Sequence, residues 1–393
     1  MSWPLIDMEE MIEHGLVKLG RGNVISKLDI AAHPGPYPIY SSAQMNNGKF
    51  GEYGKYMFDK ELITWSVDGG GQLFYRPKHK FSVTNVAGTL EVLNGTRLDC
   101  RYLHYVLSDK HTRLKFDWIR KAHPSVIRRL YKEIPVPPVV DQRRIAHLLV
   151  KVEGLITQRK QHLQQLDELL KSVFLEMFGD PVRNEKGWET GASSVYADLV
   201  TVGVVVKPAA HYVEHGVIAL RSLNIKPNRI DLKDLVYFSQ HSSDGILSKS
   251  RLQTNDVVVV RTGKTGTAAV VPASLNGANC IDLIVVRPKP SKVHPQFLTC
   301  LLNSERGMAL VSSLEVGGIQ KHFNVGALNK IPFPIPPIAL QAHFADIVEK
   351  VESTKTRYQQ SLIHLEALYG ALSQKAFKGE LDLSRVPLPD MSH

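Results

Sequence analysis

The sequence predicts an α+β fold: two pseudo-repeated globular α+β domains separated by two long helices that pair with each other as an intramolecular coiled coil. Three observations carry that expectation. A stretch of 44 residues, 135–178, recurs without a gap at 334–377 with 14 identities. Both copies place apolar residues in alternating steps of four and three. The segments outside the copies also match each other, at offsets near 195, in short strand-like and helix-like runs between glycine, proline and asparagine turns.

Taken in order, residues 1–134 form the first domain. Its β-branched and aromatic runs at 62–67 and 81–86 read as strands, and 102–107 as a helix. Residues 135–180 are a proline hinge and the first long helix. The lead-in is Ile134-Pro-Val-Pro-Pro-Val-Val-Asp-Gln142, and the seam is Ile145, Leu149, Val152, Ile156, Leu163, Leu166, Leu170, Val173 and Met177, interrupted by Arg159. Residues 181–333 form the second domain, with strands expected at 257–260 and 281–287 and a helix at 297–302. Here Asp256 to Val260 parallels Glu61 to Trp65, Gln296 to Asn303 parallels Arg101 to Ser108, and Leu328 with Lys330 parallels Leu130 with Lys132.

Residues 334–379 repeat the hinge and helix. The lead-in is Phe333-Pro-Ile-Pro-Pro-Ile-Ala-Leu-Gln341, and the seam is Phe344, Val348, Val351, Tyr358, Leu362, Leu365, Tyr369, Leu372 and Ala376, interrupted by Lys355. Gly179 and Gly379 stop the two helices. Such seams also suit a coil between chains, or helices lying on their own domains. Two equivalent seams in one chain favour pairing within it. Residues 380–393 read as a frayed tail.

Composition narrows the function. The chain has 393 residues and a net charge of +10, with pI ≈ 9.3. Residues 1–134 hold 19 Lys+Arg against 14 Asp+Glu, and 181–333 hold 17 against 11. The helix segments are close to neutral, with 6 against 6 in 135–180 and 6 against 7 in 334–393. The basic excess therefore sits on the two domains, where it suits a polyanion. No apolar run reaches membrane-spanning length, and the acidic start MSWPLIDMEE is unlike a signal peptide, so a cytoplasmic protein with no membrane partner is expected. Cys100, Cys280 and Cys300 form no C-x-x-C pair, so neither a disulfide framework nor a metal site is expected.

The motifs of catalysis are missing. Arg261-Thr-Gly-Lys-Thr-Gly266 resembles the end of a phosphate-binding loop, but Val258 stands where that loop needs its first glycine. G-x-G-x-x-G after a strand, H-E-x-x-H and G-x-S-x-G are also absent, and no catalytic residue is expected.

Recognition remains. In the first domain the candidates are Tyr40, Ser42, Gln44, Asn46 and Lys49 around one turn, then Arg120, Lys121 and His123. In the second they are Arg221, Asn224, Arg261, Lys264, Gln320, Lys321 and His322. Arg and Lys suit guanine edges, Asn and Gln adenine edges, and the remaining cations suit phosphates.

The layout resembles the specificity subunit of type I restriction-modification systems over nearly the whole chain. The two proline lead-ins ending in Gln142 and Gln341, each followed by a long helix, are its most telling parts. The family pattern has an acidic residue before that glutamine. Asp141 keeps it and Leu340 departs from it. The resemblance implies two target recognition domains that read double-stranded DNA, each taking one half of a bipartite site. It implies that the two long helices form an antiparallel intramolecular coiled coil that fixes their spacing and docks methyltransferase subunits, two of them, with restriction (translocase) subunits as an optional addition. No cofactor is then expected on this chain; S-adenosylmethionine, ATP and Mg would belong to the partner subunits. From a different class, a coiled-coil scaffold whose basic domains bind protein or RNA also fits the residues.

Overall fold

Pro137-Pro138 and Pro336-Pro337 disfavour helix before them, and a long helix begins directly after each pair. The computed structural model describes residues 3–42, 45–68, 70–114, 121–205, 207–313 and 323–388. The chain divides into two compact units: residues 1–160 with 360–393, and residues 161–359. Among the described residues no helix is long and apolar enough to cross a membrane.

In the first unit, strands β1 (Leu5–Ile6), β2 (Val17–Arg21), β3 (Tyr37–Tyr40), β4 (Lys49–Tyr53), β5 (Phe58–Ser66), β6 (Leu73–Val83) and β7 (Ala87–Val92) come first. Helices α1 (Cys100–Arg113) and α2 (Pro124–Leu130), strand β8 (Ile134–Pro135) and long helix α3 (Val139–Phe178) follow, the helix belonging to the first unit as far as residue 160 and to the second beyond it. Six strands form one sheet in the order β2-β7-β5-β6-β3-β4. The run 81–86, read as one strand, is the end of β6 followed by a turn through Asn85 into β7. Trp65 on β5 lies opposite Gly88, where any Cβ would fall 2.0 Å from the indole ring. The indole is fully buried and donates its N–H to the Ala122 carbonyl at 2.7 Å, which ties the sheet to the start of α2.

The second unit holds β9 (Thr190–Gly191), β10 (Ala197–Val202), β11 (Val257–Val260), β12 (Ala268–Val270) and β13 (Leu283–Pro288). They are followed by α4 (Pro295–Asn303), α5 (Val325–Lys330), β14 (Phe333–Pro334) and α6 (Ile338–Lys378), whose residues from 360 on belong to the first unit. The sheet order β10-β13-β11-β12 reproduces β2-β7-β5-β6. A second sheet, made of Tyr212–Val213, Val236–Phe238, Val217–Leu220 and Asn279–Cys280, has a different make-up from the rest of the first unit's sheet. One framework is thus built twice and elaborated differently.

The paired lead-ins explain themselves in three dimensions. Gln142 is fully buried and uses its whole amide. Its Oε1 accepts the Asp99 N–H at 2.8 Å, and its Nε2 donates to the carbonyls of Arg97 at 2.9 Å and Pro137 at 2.8 Å. Gln341 repeats the arrangement with the His294 N–H at 2.8 Å and the carbonyls of Lys292 at 3.0 Å and Pro336 at 2.7 Å. Asp99 and His294 are the N-caps of α1 and α4, so each glutamine clamps a domain helix to a long helix. The stretches read as proline hinges begin as two-residue strands, Ile134–Pro135 and Phe333–Pro334. Leu5 pairs with Pro135 and Ile6 with Ile134, while Thr190 pairs with Pro334 and Gly191 with Phe333. Their free carbonyls and N–H groups find a ladder nearby, which a hinge would leave unpaired. The repeat also extends to Trp3 and Trp188. Their indole N–H groups donate to Ala376 at 2.7 Å and Phe178 at 2.9 Å, near the C-terminal end of a long helix in each unit.

The long helices pair antiparallel. In the first unit the Glu153 carboxylate accepts the Tyr105 hydroxyl at 2.6 Å and also bonds Tyr369, while Lys160 meets Glu366 at 3.1 Å. In the second, the His162 ring lies 5.6 Å from that of Tyr358, and Lys355 meets Asp167 at 2.8 Å. Partner numbers fall as residue numbers rise. Burial follows the seam. Between 153 and 169 the half-buried positions are Ile156, Arg159, Leu163 and Leu166, and every other residue is exposed. Leu362, Leu365 and Tyr369 are half-buried too. Toward the helix ends the seam enters the domain cores: Leu149 and Val152 in the first unit, Leu170, Val348 and Val351 in the second, are buried. There Phe174, Phe178, Phe297 and Phe344 form an edge-and-face cluster with centroids 4.7–5.8 Å apart.

Of the segment read as a frayed tail, part is folded. Leu383 is buried and Leu381 and Val386 pack beside it in the first unit's core, because the apolar side chains of Leu381-Asp-Leu-Ser-Arg-Val386 find core surface within reach.

Two outcomes are expected from this packing. Leu149→Asp buries a carboxylate in a closed core and unfolds the first unit, a loss of more than about 4 kcal/mol. Leu163→Asp or Leu362→Asp, at half-buried layers, loosens the helix pair by about 1–2 kcal/mol and leaves both domains folded. Helical melting by circular dichroism of the three variants checks the ranking, and equal losses would contradict it. Gln341→Ala strips partners from one N–H and two carbonyls. It lowers the second unit's stability by about 3 kcal/mol and releases amide exchange at the start of α4, measurable by hydrogen exchange.

Candidate nucleic-acid interface

In the first domain the candidate turn joins β3 to β4. Met45–Gly48 is a 3-10 turn in which Asn46 and Asn47 both adopt left-handed backbone, with φ of 51°. Asparagine tolerates that conformation better than most residues. Asn46 and Lys49 are exposed, and Lys49 is paired with Glu52 at 2.8 Å. Ser42 is half-buried and its carbonyl accepts the Ser66 hydroxyl at 3.0 Å. Tyr40 is held from beneath: its hydroxyl bonds the His79 Nε2 at 3.1 Å, and the Arg76 guanidinium lies 3.6 Å from its ring centroid. Gln44 and Arg120 lie outside the described residues. Lys121 is exposed and pairs with Asp68 at 3.2 Å, and His123 is half-buried at the N-cap of α2.

Sequence reasoning missed the support of this turn, β6. Arg76 is 1% exposed with no carboxylate partner among the described residues. Its Nε donates to the Thr64 hydroxyl at 3.0 Å and its Nη1 to the Asn47 carbonyl at 2.8 Å, while Nη2 has no partner. Burial pulls its pKa down to about 10, against the opposing pull of Tyr40, so it stays a cation at neutral pH. The acid-free run Arg76-Pro-Lys-His-Lys80 was the available signal.

In the second domain Arg261 and Lys264 sit at the C-terminal end of β11. Arg261 is held by Asp282 at 2.7 Å and by the Phe323 carbonyl at 3.3 Å, while Lys264 is exposed at the tip. Gly263 and Gly266 take φ of 93° and 85°, so the strand end closes into a tight turn. The Arg221 guanidinium bonds the Asp234 carbonyl. Asn224 differs from the expectation of a base contact. It is fully buried, and its amide is consumed by the Arg221 N–H at 2.9 Å and the carbonyls of Asp231 at 3.1 Å and Lys233 at 2.8 Å. An amide that staples a loop from inside has no edge left for a base. Gln320, Lys321 and His322 lie outside the described residues. Among the described residues no cluster of three or more His, Cys, Asp or Glu could hold a metal ion.

Burial pulls the Lys355 ammonium down, but its bonds to Asp167 and Glu352 outweigh that and hold its pKa above the usual lysine range. The seam interruption is thereby a paired charge.

Comparison with known proteins agrees with this architecture. The family model for the type I restriction modification DNA specificity domain matches residues 6–168 and 235–367. The chain is 31% identical over 170 residues to the type I restriction enzyme MpnII specificity subunit of Mycoplasma pneumoniae, covering 40% of this chain and 50% of that one. It spans about half the length of the first of these Mycoplasma relatives, 51%. With the MjaVIII specificity subunit of Methanocaldococcus jannaschii it shares 24% identity over 344 residues, 81% of this chain and 80% of the other. A solved type I restriction-modification S subunit from M. genitalium superposes with a TM-score of 0.62 at 15% identity, covering 100% of this chain and 97% of that one. Two copies of one framework, each clamped by a buried glutamine to a long helix, thus carry the matched sequence, and the chain belongs to the type I restriction-modification specificity-subunit family.

Proposed function

We propose that each basic domain reads one half of a bipartite duplex DNA site, and that the helix pair sets the spacing between the halves and docks two methyltransferase subunits. One observation supports this most: the two domains share strand order and glutamine clamp yet differ in the loops and strands built on them. A duplicated frame with divergent surfaces suits two readers of different sequences. The chain itself then carries no catalytic step and no cofactor. Adenine methylation with S-adenosylmethionine, and any ATP- and Mg-dependent restriction, belong to partner subunits.

In this reading Lys264 is a phosphate contact and Gln320 a base contact. Gel shifts of the full chain, with co-expressed methyltransferase subunits, against a random duplex pool should enrich a split motif. Steeply salt-dependent binding without any motif would favour the scaffold reading instead.

Lys264→Ala should weaken binding to every sequence and flatten the salt dependence by about one unit. Gln320→Ala should relax one base position at a cost of about 1–3 kcal/mol. Neither should alter the half-site read by residues 1–134. Methylome sequencing of cells carrying each variant checks this, and relaxation of both half-sites by one substitution would refute separate reading.

A further inference from the structure

Strand β6 carries three cations in five residues, Arg76-Pro-Lys-His-Lys80, and no acid. Several other lysines of the first domain are paired with carboxylates: Lys49 with Glu52, Lys55 with Asp29, Lys60 with Glu91 and Lys121 with Asp68. Among the described residues no carboxylate pairs with Lys78 or Lys80. Lys80 lies instead 4.8 Å from the ring centroid of Tyr56 and 5.8 Å from that of Tyr37, contacts that steady an ammonium without cancelling its charge.

The backbone sets this run apart from the rest of the strand. Lys60 on β5 pairs with His79 and Leu62 with Arg76, so β6 has one extra residue and bulges at Pro77-Lys78. A bulge re-aims side chains, and proline fits there because its missing N–H breaks no ladder bond. Lys78 is left exposed on the outside while Arg76 stays buried beneath. The Arg76 guanidinium has no carboxylate partner among the described residues and one unpartnered nitrogen, and of the two lysines only Lys80 has an acid opposite it in register, Asp59, with which it forms no ion pair. Cations set in a row along a strand and left without ion pairs suit an extended anion.

We infer that Lys78 and Lys80 bind the phosphodiester backbone of duplex DNA, with Arg76 as the positioning residue that holds the β3–β4 turn beside it. The inference rests on the reading that this domain binds DNA, and adds which strand meets the phosphates.

The test is salt-dependent binding of the full-length chain to a labelled random-sequence duplex. Lys78→Ala with Lys80→Ala should lower the slope of log affinity against log salt by about 1.8, at roughly 0.9 for each phosphate that a lysine no longer neutralises. The melting temperature should shift little, because Lys78 is exposed and Lys80 gives up only its contacts with the Tyr56 and Tyr37 rings. Lys78→Arg with Lys80→Arg should keep the slope. An unchanged slope in the alanine variant, while the wild-type chain still binds duplex steeply, overturns the inference alone. Disappearance of one motif at constant slope also overturns it, since the lysines would then read bases. A wild-type chain that binds no duplex overturns the DNA reading itself.

Discussion

The buried amide of a single glutamine, used twice, is the constraint on which the rest of this molecule depends. A long helix must start at a defined point and direction relative to the domain that carries it, and two prolines alone give only the start. Gln142 and Gln341 supply the direction by binding three backbone groups each: the N-cap N–H of a domain helix, a carbonyl two residues before it, and a carbonyl of the lead-in. A hydroxyl or carboxylate could not donate and accept in this pattern, and a buried group of this kind tolerates no unpaired partner. Domain and helix are therefore one piece at each junction.

From those junctions the helices run out as a pair, and the grading of their burial follows. Two helices alone can shield only a narrow seam, so its middle layers stay half-exposed, and its ends reach full burial only inside a domain core. Polar residues are admitted at the middle layers for the same reason. Lys355 sits in the seam with its ammonium between Asp167 and Glu352, an arrangement whose desolvation in a closed core would outweigh its attraction.

The recognition surfaces follow a different rule. Their polar side chains divide into those already engaged by the protein and those left open. Asn224, Arg221, Arg261 and Tyr40 are engaged, each shaping a loop or strand end from within. Lys264, Asn46 and Lys78 are open, and Lys80 is steadied by two tyrosine rings with no ion pair. A domain whose framework is shared with its twin can vary the second class freely as long as the first class holds the loops in place.

Much of this was determined by sequence alone: the duplication, the heptad seams, the strands at 62–67 and 257–260, and the basic character of the two domains. These are periodic or repeated signals, and periodicity survives without knowledge of the neighbours. The lead-ins, read as hinges, begin as short strands because β1 and β9, distant in sequence, supply their ladder partners. The tail folded in part because a core lay within its reach. Asn224 and Lys264 look equally available in a sequence, and only tertiary structure decides that one is consumed inside and the other offered outside. Residue type states what a side chain can bond; the fold determines whether that bond has already been made.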